Sequence, residues 1–272
     1  MSSRLTSLWV VATPLGNPGD LSPRAREILS GVDFILAEDT RKTGQLLAAC
    51  GVRHPRLFSF HDHNEDRKRA GIMEELLAGK SAALVSDAGT PLLSDPGFTL
   101  VRACREKGLA VSPIPGPSAP AAALSASGLP PLPYAFLGFP PRKQKEIVDF
   151  FSPYANLPLT LVFFERKDRL AGTLGIARKV LGARAACIAR ELTKTYEEFI
   201  FLALGEDVPE LLGEITVVIG PPDASRSPEE EAIRRIRELA ADGVKAKDAA
   251  KRLHAELHGW SAKELYALVQ RI

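Results

Sequence analysis

The stretch Ala82-Ala-Leu-Val-Ser-Asp-Ala-Gly-Thr-Pro-Leu-Leu-Ser-Asp-Pro-Gly97 decides the fold. Its apolar run, Ala82 to Val85, is bounded upstream by Gly79 and downstream by Asp87, Gly89 and Pro91, which predicts a buried strand. Two Ser-Asp turns follow. Asp95-Pro-Gly97 then hands over to Phe98, Leu100, Val101 and Cys104, spaced as the buried face of a helix on a sheet. Strand, polar turn and helix in that order is where an open α/β sheet holds its ligand. Asp, Gly, Pro and Ser are also turn formers for purely conformational reasons, so this stretch alone argues for a fold unit and not for a function.

The unit repeats to either side. Leu8–Ala12 reads as a strand followed by Thr13-Pro-Leu-Gly-Asn-Pro-Gly19, a turn that cannot be helical, then a helix started by Ser22-Pro23 and stopped by Gly31. Phe34–Ala37 runs into Glu38-Asp-Thr-Arg41, with a helix through Leu46, Leu47 and Cys50 closed by Gly51. Leu57–Phe60 runs into His61-Asp-His-Asn-Glu65 and a helix carrying Ile72, Leu76 and Leu77. Ala110–Pro113 ends in Ile114-Pro-Gly-Pro-Ser118, with Ser118 placed to cap an Ala-rich helix that Gly128 closes. Five strands alternating with helices predict a mostly parallel, covered sheet, and their polar turns should gather along its carboxyl edge.

Pro130-Pro-Leu-Pro133 reads as a linker. Beyond it, strands are predicted at Tyr134–Gly138, Leu159–Glu165, Ala185–Arg190, Phe199–Ala203 and Thr216–Gly220, with helices near 143–152 and 168–181. The later strands are close together in sequence, so a mixed or partly antiparallel sheet is expected. Pro221-Pro222 ends that region; Ser227-Pro-Glu-Glu230 reads as a capping box, and two further helices complete an appendage resembling a helix-turn-helix. The expected fold class is therefore α/β in two domains, 1–130 and 131–222, with a helical appendage over 223–272.

The chain has 272 residues, 45% hydrophobic and 25% charged, with a formal net charge of +2, which suits a globular protein large enough for two cores and decides nothing about nucleic acid. Cys50, Cys104 and Cys187 are odd in number and far apart, suggesting neither a disulfide framework nor a structural zinc site and fitting a reducing cytoplasm. The N-terminus has no signal-like apolar segment and no run approaches the ~20 apolar residues of a membrane span, so a cytoplasmic, non-membrane protein is expected.

Gly79-Lys-Ser81 is no phosphate loop, because the motif needs Gly where Glu74 stands and the pair precedes its strand. No GxGxxG follows the first strand. His61 and His63 with Glu65 and Asp66 lack the spaced second cluster that a metal site needs, so no metal is expected. Glu38-Asp39 beside Arg41 offers general-base and anion-clamp chemistry, or else a helix-start charge pattern. Arg67-Lys-Arg69, Arg142-Lys-Gln-Lys145 and Arg166-Lys-Asp-Arg169 have the charge to contact phosphates, although such runs are usually solvated faces. The last fifty residues carry ten Lys/Arg against nine Asp/Glu and form no electrostatic clamp.

Together these turns resemble one family, the S-adenosylmethionine-dependent small-subunit (16S) ribosomal RNA cytidine 2′-O-methyltransferases of the tetrapyrrole-methylase superfamily. The match runs in order through Val11-Ala-Thr-Pro-Leu-Gly-Asn17, Ala37-Glu-Asp-Thr-Arg41, Phe60-His-Asp-His-Asn-Glu65, Val85-Ser-Asp-Ala-Gly-Thr-Pro91, Ser94-Asp-Pro-Gly97, Pro115-Gly-Pro-Ser118, Phe136-Leu-Gly-Phe139 and Arg190-Glu-Leu-Thr-Lys194. The resemblance implies methylation of a cytidine ribose at the decoding centre, with the methyl donor in a cleft between domains. The expected substrate is the small (30S) ribosomal subunit or its RNA, and the expected assembly a homodimer. By the same resemblance Pro14, Leu15, Asp87, Gly89, Thr90, Ser94, Ser118, Ala119, Phe164, Leu192 and Thr193 hold the donor. Position at the strand ends nominates Asp39 or Glu38 as the base, His63 next, and Arg41 as the phosphate-orienting group.

Phe163-Phe-Glu-Arg-Lys-Asp-Arg-Leu170 departs from the family, whose usual form has Ser-Pro-His after the Glu. A methylase acting on a tetrapyrrole or a protein side chain, and a non-catalytic RNA-binding assembly factor with the same fold, are the competing readings.

Overall fold

The computed structural model describes residues 6–222, 229–257 and 260–271. It divides into two compact units, 1–220 and 221–272.

The first unit holds two five-stranded sheets. Strands β1 (Leu8–Val11), β2 (Phe34–Ala37), β3 (Arg56–Ser59), β4 (Ala82–Val85) and β5 (Val111–Ile114) form an all-parallel sheet in the order β3-β2-β4-β1-β5. The chain leaves β1 towards β2 and leaves β4 in the opposite sense towards β5. Right-handed crossovers therefore put α1 (Pro23–Gly31) and α2 (Thr40–Ala49) on one face, and α3 (Glu65–Leu77) and α4 (Phe98–Glu106) on the other. Side-chain alternation along the strands serves both faces. Ile35, Ala37, Ala83 and Val85 pack with Leu29 and Leu47, while Phe34, Leu36, Ala82 and Leu84 pack with Leu76 and Leu100. A sheet covered on both sides explains the continuous apolar runs that made these strands legible. The divergence of the β1 and β4 connections opens a crevice at their carboxyl ends.

The second sheet is mixed, as its strand spacing predicts. Its order is β6-β7-β10-β8-β9, with β6 (Tyr134–Phe136) parallel to β7 (Thr160–Arg166), and β10 (Glu214–Ile219), β8 (Ala185–Arg190) and β9 (Glu198–Ala203) joined antiparallel. Helices α6 (Gln144–Phe151) and α7 (Leu170–Leu181) cover one face. The other face packs on Ala123 and Leu124 of α5 (Ala119–Ala126), the helix that follows β5, so one helix ties the two sheets together. Ser118 occupies the N-cap of α5 as expected, but its side chain makes no capping hydrogen bond.

Gly97 begins α4 at φ +119°, and a Cβ there would lie 2.5 Å from Leu84 Cδ2, in the core. Replacing Gly97 with alanine adds backbone strain to overpacking and is expected to cost about 2–5 kcal/mol. Urea unfolding of the two proteins measures this, and an unchanged midpoint would contradict the packing described.

In the second unit, α8 (Glu229–Ala241), α9 (Ala246–Glu256) and α10 (Ala262–Val269) enclose Ile236, Leu253, Trp260, Leu265 and Leu268. Ser261 and Glu264 form a capping box at the start of α10. The Ser227-Pro228 start proposed for α8 lies outside the described residues. Among the described residues no helix is long and apolar enough to cross a membrane.

Candidate active site

The turn after β1 and the turn after β4 are stitched together by Thr13 and Gly89, which exchange both backbone hydrogen bonds, at 2.8 and 3.0 Å. Gly89 has φ +83° and lies close enough to Leu15 that a Cβ would meet it at 3.2 Å. Thr90 donates its hydroxyl to the Pro117 carbonyl at 2.9 Å, joining the β4 turn to the β5 turn. The N–H of Asn17 donates to Thr193 Oγ1 at 3.2 Å, linking the β1 turn to the end of β8 in the second sheet.

Between the sheets these turns leave a cleft of about 510 Å³. Leu15, Asp87, Ser94, Ala119, Phe164 and Leu192 all line it, six of the eleven positions expected to hold the donor. Gly89, Thr90 and Ser118 line a contiguous recess of about 50 Å³ that shares Leu15, Ala119 and Phe164 with the cleft. Pro14 and Thr193 line neither; they stand in the adjoining turns. Phe164 forms an aromatic wall, its ring packed against Phe136 at 5.0 Å and Phe139 at 5.2 Å between centroids.

The opposite side is acidic. Asp95 lines both spaces. Its turn is held in place: Leu92 and Ser94 both have φ +73°, and the Glu65 carboxylate accepts from the Gly97 N–H at 3.0 Å and the Thr99 hydroxyl at 2.6 Å. Non-glycine residues keep such angles only where the surroundings over-determine them, which is common at functional sites. Burial pushes the Asp95 carboxyl up to about 7, against a lowering hydrogen bond from Ser86; Glu38, Asp87 and Asp62 add to the rise. Glu38 is raised too, by burial first and then by Asp87 and Asp62. Lys42 partly offsets this concentration of charge by donating to Asp87 at 2.7 Å.

The residues nominated as base part company here. Asp39 caps α2, accepting from the Arg41 N–H at 2.9 Å and the Lys42 N–H at 3.4 Å. The Arg41 N–H is the main cause of its lowered pKa, which makes it a weak proton acceptor. Arg41 pairs with Asp39 at 3.5 Å with its side chain 88% exposed. His63 is exposed beside His61, ring centroids 6.0 Å apart. Among the described residues no group of three or more His, Cys, Asp or Glu side chains is arranged to hold a metal ion.

Sequence reasoning missed Asp95 and Glu165. Asp95 belongs to the Ser94-Asp-Pro-Gly97 turn, but an Asp-Pro-Gly triplet has the composition of any tight turn. Glu165 has a fully buried side chain on the cleft wall, 3.4 Å from Arg169 and hydrogen-bonded by the Thr173 hydroxyl. A lone Glu at the end of an apolar strand carries no signal of that burial. Arg166, Lys167 and Asp168, in the stretch that departs from the family pattern, also line the cleft.

Residues 7–209 match the family model of tetrapyrrole (corrin/porphyrin) methylases. The chain is 45% identical over 269 residues to the ribosomal RNA small subunit methyltransferase I of Xylella fastidiosa strain Temecula1, covering 96% of this chain and 97% of that one. It is 42% identical to the protein of the same name from Escherichia coli O157:H7, covering 95% and 93%. In fold it is similar to the methyltransferase CobJ, with TM-score 0.63 at 18% identity over 82% of this chain and 97% of that one. It is also similar to the Thermus thermophilus uroporphyrin-III C-methyltransferase complexed with S-adenyl homocysteine, with TM-score 0.54 at 17% identity over 79% and 97%. The chain belongs to the tetrapyrrole methylase family, among its ribosomal RNA small subunit methyltransferase I members.

Proposed function

We propose that this chain transfers the methyl group of S-adenosylmethionine to the ribose 2′-hydroxyl of a cytidine in 16S ribosomal RNA, at the decoding centre of the small subunit. The observation that carries this reading is the cleft itself, where an apolar wall faces a carboxyl group poised near neutrality. The names of the relatives support an RNA substrate, and the Thermus thermophilus fold neighbour in complex with the demethylated donor supports the choice of methyl source.

The residues present fit that donor. About 510 Å³ lies within the range of small-molecule sites, and Leu15, Phe164 and Leu192 offer apolar surface to its adenosine and thioether parts. Asp87 already accepts from Lys42 and from the Asp39 N–H at 3.1 Å, but a carboxylate has about four lone-pair sites, leaving capacity for an ammonium or a ribose hydroxyl. When bound, the donor supplies a methyl group activated by the positive charge on sulfur.

The chain's own groups do the rest. Holding the acceptor oxygen in line with the methyl supplies on the order of 7–11 kcal/mol of the barrier reduction. Asp95, the cleft-lining member of the carboxylate group, takes the 2′-hydroxyl proton; burial holds its pKa high, and Glu38 adds to the rise. Arg41 and His63, both exposed in the segments that follow β2 and β3, meet the RNA backbone. The reading also carries a homodimer acting in the cytoplasm.

Tritiated methyl transfer to undermethylated small subunits, naked 16S RNA and precorrin tests it. Label on subunits or their RNA is expected; label on precorrin alone would sink the proposal, as would failure to bind the donor at high micromolar concentration.

A further inference from the structure

A second concavity, of about 630 Å³, lies beside β3, one of the two edge strands of the parallel sheet. Asp33 and Phe34, Arg56, and Lys80 come from the amino ends of β2, β3 and β4, whereas the cleft lies at their carboxyl ends. None of the residues that line the groove lines the cleft. The groove therefore shares no wall with the cleft.

Its floor is aromatic. Phe58 is 37% exposed, packs edge-on against Phe34 at 5.4 Å, and carries the Arg56 guanidinium 4.7 Å from its ring centroid. Gly71 on α3 leaves the wall open, since a Cβ there would meet nothing within 4 Å. The rim is basic, with Arg56, Arg67, Lys68 and Lys80 against Asp33 and Glu75. Both carboxylates are already engaged. Asp33 accepts from the Ser81 N–H at 2.7 Å and the Ser81 hydroxyl at 2.9 Å, and Glu75 is paired with Lys80. Lys68 spends one donor on the Ser59 carbonyl. Among the described residues Arg67 has no ion-pair partner and is exposed, so an incoming ligand meets net positive charge above a flat π platform.

We propose that this groove binds single-stranded RNA flanking the methylated nucleotide, one base stacking on the Arg56–Phe58 platform while Arg67 and Lys68 hold the adjoining phosphates. The inference rests on the RNA reading of the cleft. A planar π surface beside unneutralised cations fits a nucleotide better than a peptide strand added to the β3 edge, which has no use for either. It gives the Arg67-Lys-Arg69 cluster a task through two of its members.

The test uses the full-length chain, a fluorescein-labelled single-stranded RNA, and methyl transfer to small subunits. Phe58→Ala is expected to weaken RNA binding by about 5–150-fold, the range of one lost stacking contact, with Phe58→Tyr restoring it. Arg67→Glu, on an exposed helix face where folding is not at stake, should lower RNA affinity and flatten its salt dependence by about one unit of log–log slope. Both variants should raise KM for subunits and leave kcat and calorimetric donor affinity unchanged. Unchanged RNA affinity and KM in Arg67→Glu, while the parent protein methylates RNA, would overturn the groove proposal alone. A parent protein that neither binds nor methylates RNA would overturn the cleft reading as well. Loss of a dimer in sedimentation, with RNA binding intact, would make the groove a face between copies of the chain and refute its assignment to RNA.

Discussion

Replacing Asp95 by asparagine is expected to lower kcat by about 10²–10⁴-fold and leave donor affinity nearly unchanged, because the amide keeps the shape of the turn and loses the proton acceptor. In the parent protein kcat should rise with pH to a plateau above about 7, where burial has placed this carboxyl's ionisation. That limb should disappear in Asp95→Asn. The same group sets a stability trend of opposite sense. The unfolded chain ionises Asp95 near its ordinary 3.8, while the folded chain keeps the proton to about 7. Between those values the folded state binds more protons, so stability falls as pH rises and the loss is complete above about 7. An asparagine escapes it. Asp95→Asn should therefore melt above the parent at pH 8, with the gap closing towards pH 4. A variant that loses activity without gaining stability at pH 8 would mean that Asp95 does not carry the strained proton equilibrium ascribed to it.

Ala119→Trp is expected to weaken donor binding by at least about 100-fold, equivalent to ~2.7 kcal/mol, and to abolish turnover in consequence. Ala119 is the first residue of α5 and lines both the cleft and its recess. An indole there would project into the space between Leu15 and Phe164, and the first helical position tolerates most side chains. Calorimetric titration with S-adenosylmethionine checks the affinity, and circular dichroism checks the fold. An unaltered affinity would place the donor elsewhere.

Legibility followed burial. Where a strand is covered on both faces its apolar run is its signature, and β2, β4 and β8 have the bounds that the residues predict. Where apolarity and pairing part company, the reading slips. Phe60 is fully buried among α3 and α4 side chains but lies just past the end of β3, so hydrophobicity alone places that strand one residue late. Glu214 pairs with Arg166 across the start of β10, and its charge hid two paired residues from a pattern built on hydrophobicity. The site divides in the same way. Turn composition located the carboxyl edge of the first sheet, because Gly and Pro turns advertise themselves. The other wall was invisible to periodicity, since Phe164 and Leu192 sit on ordinary apolar strands and strand ends. Only resemblance pointed to them. Asp39 and Asp95 could not be told apart by type: each is an aspartate in a strand-end turn. One caps a helix that happens to start there, and the other lies on the cleft wall, a difference made by the tertiary structure alone.

The chemistry of the product tests the central claim most directly. A methyl group on a ribose 2′-oxygen removes the nucleophile that alkali needs to break the next phosphodiester bond. Small-subunit RNA labelled by this chain with tritiated donor and digested with alkali should release its label in a dinucleotide whose 5′ residue is 2′-O-methylcytidine. Label released in a mononucleotide, as a base-methylated product would be, would contradict the assignment.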